Sequence, residues 1–113
     1  MDILNQGKIE RLASEIGADN VPVLLEIFLG ELGMYIDNLS QQESNENNAY
    51  LKEICHALKS SAASFGAEAL CAYSIEIDAI AKSGAPMDID QEVTKMISLL
   101  KETQQRYQAL VSQ

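Results

Sequence analysis

His56 is the only histidine in the chain, and Lys59 and Ser60 follow it at i+3 and i+4. On a helix those positions are true surface neighbours, so the three side chains share one patch. An imidazole ordinarily titrates near 6.5, so around neutral pH a ring nitrogen offers a free lone pair. That lone pair can attack phosphorus, and a phosphoryl group brings close to two negative charges with it. A lysine at about 4 Å offsets such charge by roughly 1 kcal/mol in water, rising toward about 4 kcal/mol where a docked partner lowers the effective dielectric. Lys59 is therefore expected to matter more in a complex than alone. Ser60 and Ala63 are small and leave clearance for a visitor, and Lys52 is a weaker electrostatic candidate. Each residue alone has a plainer reading, as a surface histidine, a solvated lysine or a packing strip of small residues. Their conjunction points to chemistry.

A helix must hold that patch outward. With Leu51 at zero and about 100° per residue, Leu51, Ile54, Cys55, Leu58, Ala62 and Phe65 fall within an arc of roughly 100°. His56 lies about 150° from the centre of that arc and points to solvent. Lys52, Lys59, Ser60 and Ala63 lie on its side of the helix. This helix is expected over 48–65, with Gly66 as a left-handed C-cap.

The rest of the chain also reads as helices. Ile9, Leu12, Ala13 and Ile16 define a short amphipathic segment over 5–16, stopped by Gly17. Asp19 and Asn20 offer caps, and Pro22 suits a first turn. A helix over 21–43 carries Leu24, Phe28, Tyr35 and Leu39, widened by Leu25, Leu29, Leu32 and Ile36. Its apolar arc of roughly 200° exceeds what two neighbours cover, so the first helix or a partner must take the excess. Gly30 and Gly33 on it suggest close packing. Glu43–Asn48 reads as a polar loop. A helix over 67–82 aligns Leu70, Tyr73, Ile77 and Ala81, and Ser83–Met87 breaks it. The last helix begins near Asp88, where Asp88 and Gln91 resemble a capping box, and its stripe is Val93, Met96, Ile97, Leu100, Tyr107 and Val111. Four long helices with short connections favour an all-α antiparallel four-helix bundle with an additional short N-terminal helix. No repeat or linker divides the chain, so 1–113 is expected to be a single domain.

Composition narrows the function. A net charge of −9 argues against nucleic acid and against an anionic membrane surface. No run approaches transmembrane length, and Met1-Asp2-Ile3 does not open a secretory leader. Cys55 and Cys71 are read as reduced, partly buried thiols of a cytoplasmic protein.

The run His56-Ala57-Leu58-Lys59-Ser60-Ser61-Ala62-Ala63-Ser64-Phe65-Gly66-Ala67 closely resembles the signature of histidine-containing phosphotransfer (HPt) domains. That signature is a His followed by x-Leu-Lys, small residues and an apolar-Gly-Ala ending. It is specific, because it sets several residue types over one helix and its stop. Ser60 departs from it, standing where many members have Gly, which makes the approach slightly tighter. Leu4-Asn5-Gln6 through Gly30-Glu31, including Ala18–Leu25, further resembles the quorum-sensing members. The likeness covers most of the chain, strongest to about residue 72.

The resemblance implies a four-helix bundle with an exposed active histidine and no ATP-dependent kinase activity. It implies that an aspartyl phosphate on the receiver domain of a hybrid sensor histidine kinase donates to His56. The group then passes to an aspartate of a response regulator, both steps being reversible. Mg²⁺ is expected on the partner receiver, with no cofactor or metal on this chain, which is expected to be a monomer. Within the chain no carboxylates converge on His56 on the helical wheel. Two rivals stand beside this reading. A structural adaptor bundle shares the helical pattern but does not need the flanked histidine. A metal protein using Cys55, Cys71 and His56 is disfavoured, since Cys55 lies on the apolar arc and His56 opposite.

Overall fold

The computed structural model describes residues 2–41 and 44–112. Its regular elements are α1 (Gln6–Ile16), a 3₁₀ turn (Ala18–Asn20), α2 (Val21–Gln41), α3 (Ser44–Phe65), α4 (Glu68–Ser83) and α5 (Ile89–Val111). Local chemistry sets their ends. The Asn5 side chain accepts the Lys8 N–H at 3.3 Å and caps α1, and Asp88 accepts the Gln91 N–H at 3.2 Å and caps α5. Gly66 ends α3 with φ +77°, where the Gly66 N–H reaches Ala63 O at 3.3 Å and the Ala67 N–H reaches Ala62 O at 2.8 Å. This double closure is a Schellman stop, and it turns the chain straight into α4.

The fold is all-α. α2 lies along α5 and α3 along α4, while α3 also meets α2 and α5, and α4 meets α5. Short reversals between successive helices make the four-helix bundle antiparallel. The short α1 packs on α2 and α3 at the Gly66 end. There the Asn5 N–H donates to Gly66 O at 2.8 Å, and the Ala69 N–H to Asp2 O at 2.9 Å. The core is largely aliphatic, with an aromatic knot beside the α1 end. Phe28 stacks on Phe65 at 4.6 Å and meets the edge of Tyr107 at 5.3 Å, and the Tyr107 hydroxyl donates to Phe65 O at 2.6 Å.

Several expectations are corrected. Helix α3 begins at Ser44, so the expected loop over 43–48 is helical from there, and Gln42 and Glu43 lie outside the described residues. Asn and Ser favour turns on propensity, but Asn47 is buried and its Nδ2 donates to Leu39 O, which ties the first turn of α3 to α2. Gly30 is exposed with open space beside it, and Gly33 meets only the Gln104 side chain, so neither brings two backbones together. On α2, Leu24 is only partly buried. On α5, Ile97 and Val111 are half-buried, while Thr103 is fully buried with its hydroxyl donating to Leu99 O at 2.7 Å. The expected apolar arc of α2 is covered within the chain, with Leu25, Phe28, Leu29, Leu32, Tyr35, Ile36 and Leu39 buried, whereas Val23, Ile27 and Met34, which lie outside that arc, are at least half exposed.

Gly66 joins two constraints. A Cβ there would sit 2.8 Å from Asn5 O, and its φ is left-handed. Gly66→Ala is expected to cost roughly 2–3 kcal/mol, lowering the melting midpoint on the order of 10 °C. Thermal denaturation followed by circular dichroism checks this, and an unchanged midpoint would show the α1–α3 junction to be slack.

Candidate functional site

The apolar arc of α3 is buried as its periodicity requires. Leu51, Ile54, Cys55, Leu58 and Ala62 are all at or near zero exposure, and Phe65 is half-buried against Phe28. That anchoring turns His56 outward, with 72% of its side chain exposed. Lys52 and Ser60 are exposed on the same side, and Ala63 is half-buried. Ala63 and Ser64 form one wall of a groove of about 390 Å³, whose other wall is Lys8, Arg11, Leu12 and Glu15 of α1. The groove opens about two helical turns from the imidazole along α3.

Lys59 is not a freely solvated lysine. Its ammonium donates to Asp78 Oδ2 at 2.6 Å, and its side chain is only 28% exposed. Lys82, one turn beyond Asp78 on α4, reaches the same oxygen at 2.9 Å. The other carboxylate oxygen, Oδ1, lies 4.0 Å from His56 Nδ1. Asp78 therefore stands between the imidazole and two ammonium groups. Its own side chain is 11% exposed. The hydrogen bond from Lys59, with that from Lys82, lowers the Asp78 pKa to about 2, and Asp78 in turn holds Lys82 above its ordinary value. Two lysines against one carboxylate leave the cluster with one net positive charge beside His56.

Sequence reasoning missed Asp78 and Lys82. The wheel of α3 shows no carboxylate cluster converging on His56, and this one arrives from the neighbouring helix. A signal was present. Asp78 directly follows the buried Ile77 on the inward side of α4, and a charged residue placed there needs partners.

The two thiols do not join the histidine. Cys55 is fully buried, and burial pushes its thiol up to about 12, the behaviour of an inert core cysteine. Cys71 is half-buried, with its Sγ 3.6 Å from Lys59 O. Among the described residues no helix is long and apolar enough to cross a membrane.

Comparison with known proteins follows the same line. The family model described as the Hpt domain matches residues 23–112. The phosphorelay protein LuxU of Vibrio vulnificus (strain YJ016) is 57% identical over 107 residues, which cover 95% of this chain and 93% of that one. LuxU of Vibrio cholerae serotype O1 is 56% identical over 108 residues, covering 96% of each. LuxU of Vibrio harveyi is 53% identical over 108 residues, covering 96% of this chain and 95% of that one. No solved structure matches.

Proposed function

The chain belongs to the Hpt domain family, and from that premise we propose that His56 is the residue on which it carries the phosphoryl group. The chain is a phosphotransfer intermediate rather than a kinase. One observation carries the assignment to His56: its imidazole is 72% exposed on a helix whose opposite face is locked in the core. In this reading the receiver domain of a hybrid sensor histidine kinase supplies an aspartyl phosphate, Mg²⁺ and its acidic pocket. His56 attacks phosphorus in line, and a response-regulator aspartate later removes the group. Lys59 and the net positive cluster offset phosphoryl charge, while Ser60 and Ala63 leave room for the approach. Lys52 flanks the patch, and the chain itself holds no metal or cofactor and works as a cytoplasmic monomer without ATP. By resemblance the pathway is quorum sensing.

The chain also presents an apolar surface on α2. On α2, Val23, Ile27 and Met34 line up at i, i+4 and i+11, next to the flank of α2 whose Glu31 accepts from Ser61 of α3 at 3.2 Å. A transient interface below about 1,200 Å² suits a relay that must release its partner.

Transfer from a panel of purified, phosphorylated receivers tests the reading, and the stability of the label identifies its site. A phosphoramidate on an imidazole loses its group in mild acid, where ring protonation creates a good leaving group, and persists in base. An aspartyl phosphate is lost in base, and a phosphoserine at Ser60 or Ser61 survives acid. Label on this chain is expected to be acid-labile and base-stable. Acid-stable label would place the group on a hydroxyl and remove His56 from the mechanism.

A further inference from the structure

α2 buries one face and leaves the opposite one bare. Val23, Ile27 and Met34 are 59%, 63% and 50% exposed, and Gly30 stands among them at i+3 from Ile27. At about 100° per residue the four positions fall within an arc of roughly 60°. Single exposed apolar residues are ordinary, but an apolar line of alternating four- and three-residue steps is the narrow seam by which one helix pairs with another. Gly30 marks it further. A Cβ there would meet nothing within 4 Å, so packing inside the chain does not call for a residue that weakens the helix. Bare backbone in the middle of the seam lets a second helix come close. At its N-terminal end, Pro22, Val23, Glu26 and Ile27 line a shallow depression.

The charges beside the seam are of one sign. Glu26 and Glu31 lie in the two flanking rows, each about 70° from its centre, and Asp37 closes it. α2 carries no Lys or Arg. Glu31 accepts from the hydroxyls of Tyr35 and Ser61, neutral groups that leave its charge in place. Flanking charges choose the partner of a paired helix. A second copy would set these carboxylates against their own kind, in a chain of net charge −9, so the seam does not suit self-pairing. We propose that the outward seam of α2 is a docking surface for a partner protein's amphipathic helix, one whose apolar stripe is flanked by lysine and arginine. The seam is about 16 Å long and takes about three turns of such a helix. It lies apart from His56. Ser61, through which α3 meets this flank of α2, is about 140° around α3 from His56. The imidazole turns instead toward Asp78 of α4, and among the described residues α2 and α4 do not touch. The chain can therefore be held through α2 while His56 stays open, and the assignment stands apart from the phosphotransfer reading.

The probe is a stapled helical peptide of about 14 residues with leucine at its seam positions and lysine in its flanking rows. A twin carries glutamate in those rows. Titrated into the full chain, the lysine peptide is expected to bind at least about 10-fold more tightly than the twin, with the difference shrinking as salt is raised. Ile27→Gln and Gly30→Gln change exposed positions and leave the core alone, and each is expected to weaken the lysine peptide about 10-fold. Backbone amide shifts are expected along α2 and not at His56, and transfer from a phosphorylated receiver is expected to persist at saturating peptide. Equal affinity for the two peptides overturns the proposal, and so does wild-type affinity in both folded variants. Shifts centred on His56 with loss of transfer overturn it too, and make the seam part of the receiver's surface. A wild-type dimer in sedimentation that I27Q dissolves would assign the seam to a second copy instead. Peptide binding as expected, with no transfer from any receiver, would defeat the relay reading and leave the α2 surface standing.

Discussion

His56→Gln protein folds and melts as the wild type does and takes up no phosphoryl group. The side chain is 72% exposed, and the Asp78 carboxylate is 4.0 Å away and held by two lysines, so little stability rides on the ring. Substitutions at such sites stay within about 0.5 kcal/mol. The chemical effect is total. The glutamine side chain matches imidazole in reach and polarity, but the amide nitrogen has no available lone pair to attack phosphorus. Incubation with a labelled receiver, read as moles of phosphate per mole of chain beside a thermal melt, checks both halves. Wild-type stoichiometry in the variant would mean that another residue is the acceptor. Loss of fold would mean that the ring is structural.

Ser60→Tyr is expected to reduce transfer on the order of 10²-fold or more while leaving His56 chemically competent. Ser60 is exposed one turn along α3 from His56, on the surface over which a receiver must descend. In-line attack needs the reacting atoms within about 3–3.5 Å, and a misplacement of about 1 Å already costs on the order of 10²-fold. A phenol ring rising from that position keeps the receiver aspartate away. The fold is not disturbed, because the bond that Ser60 makes is through its main-chain oxygen, which accepts from Ser64 Oγ at 3.1 Å. A small donor separates steric from chemical effects: phosphoramidate is expected to label His56 in S60Y at close to the wild-type rate. Equal loss with both donors would mean that the substitution damages the nucleophile. No loss with the receiver would place the docking surface elsewhere.

Much of this molecule is written along single helices. The spacing of Leu51, Ile54, Cys55, Leu58 and Ala62 settles which way α3 faces, and so by itself turns His56 outward with Lys52 and Ser60. Phe65-Gly66-Ala67 encodes the stop, because glycine takes φ +77° without strain. Asn5 and Asp88 mark helix starts, since their side chains accept the N–H groups that a helix leaves unpaired. All of these are relations between residues within a few positions of one another, where helical geometry converts sequence distance into distance in space.

Relations between helices obey no such conversion. The first turn of α3 was hidden, because Ser44–Asn48 is poor helix material on propensity, and Asn47 ties it to α2 by a bond to Leu39 O. The expected apolar arc of α2 is buried, but the exposure of Val23, Ile27 and Met34 on its other side depended on where the neighbouring helices lie. The charge state of the site was hidden most fully. Lys59 reads as an open cation for phosphate, and the fold instead sets it on Asp78, nineteen positions further on, with Lys82 beside it and His56 facing the remaining oxygen. The sequence by itself determined the nucleophile, the helix that presents it and the small residues around it, because these depend on one helix and its period. Tertiary structure alone decided the carboxylate that faces the ring, because the register of α4 against α3 is set by the packing of both helices in the core.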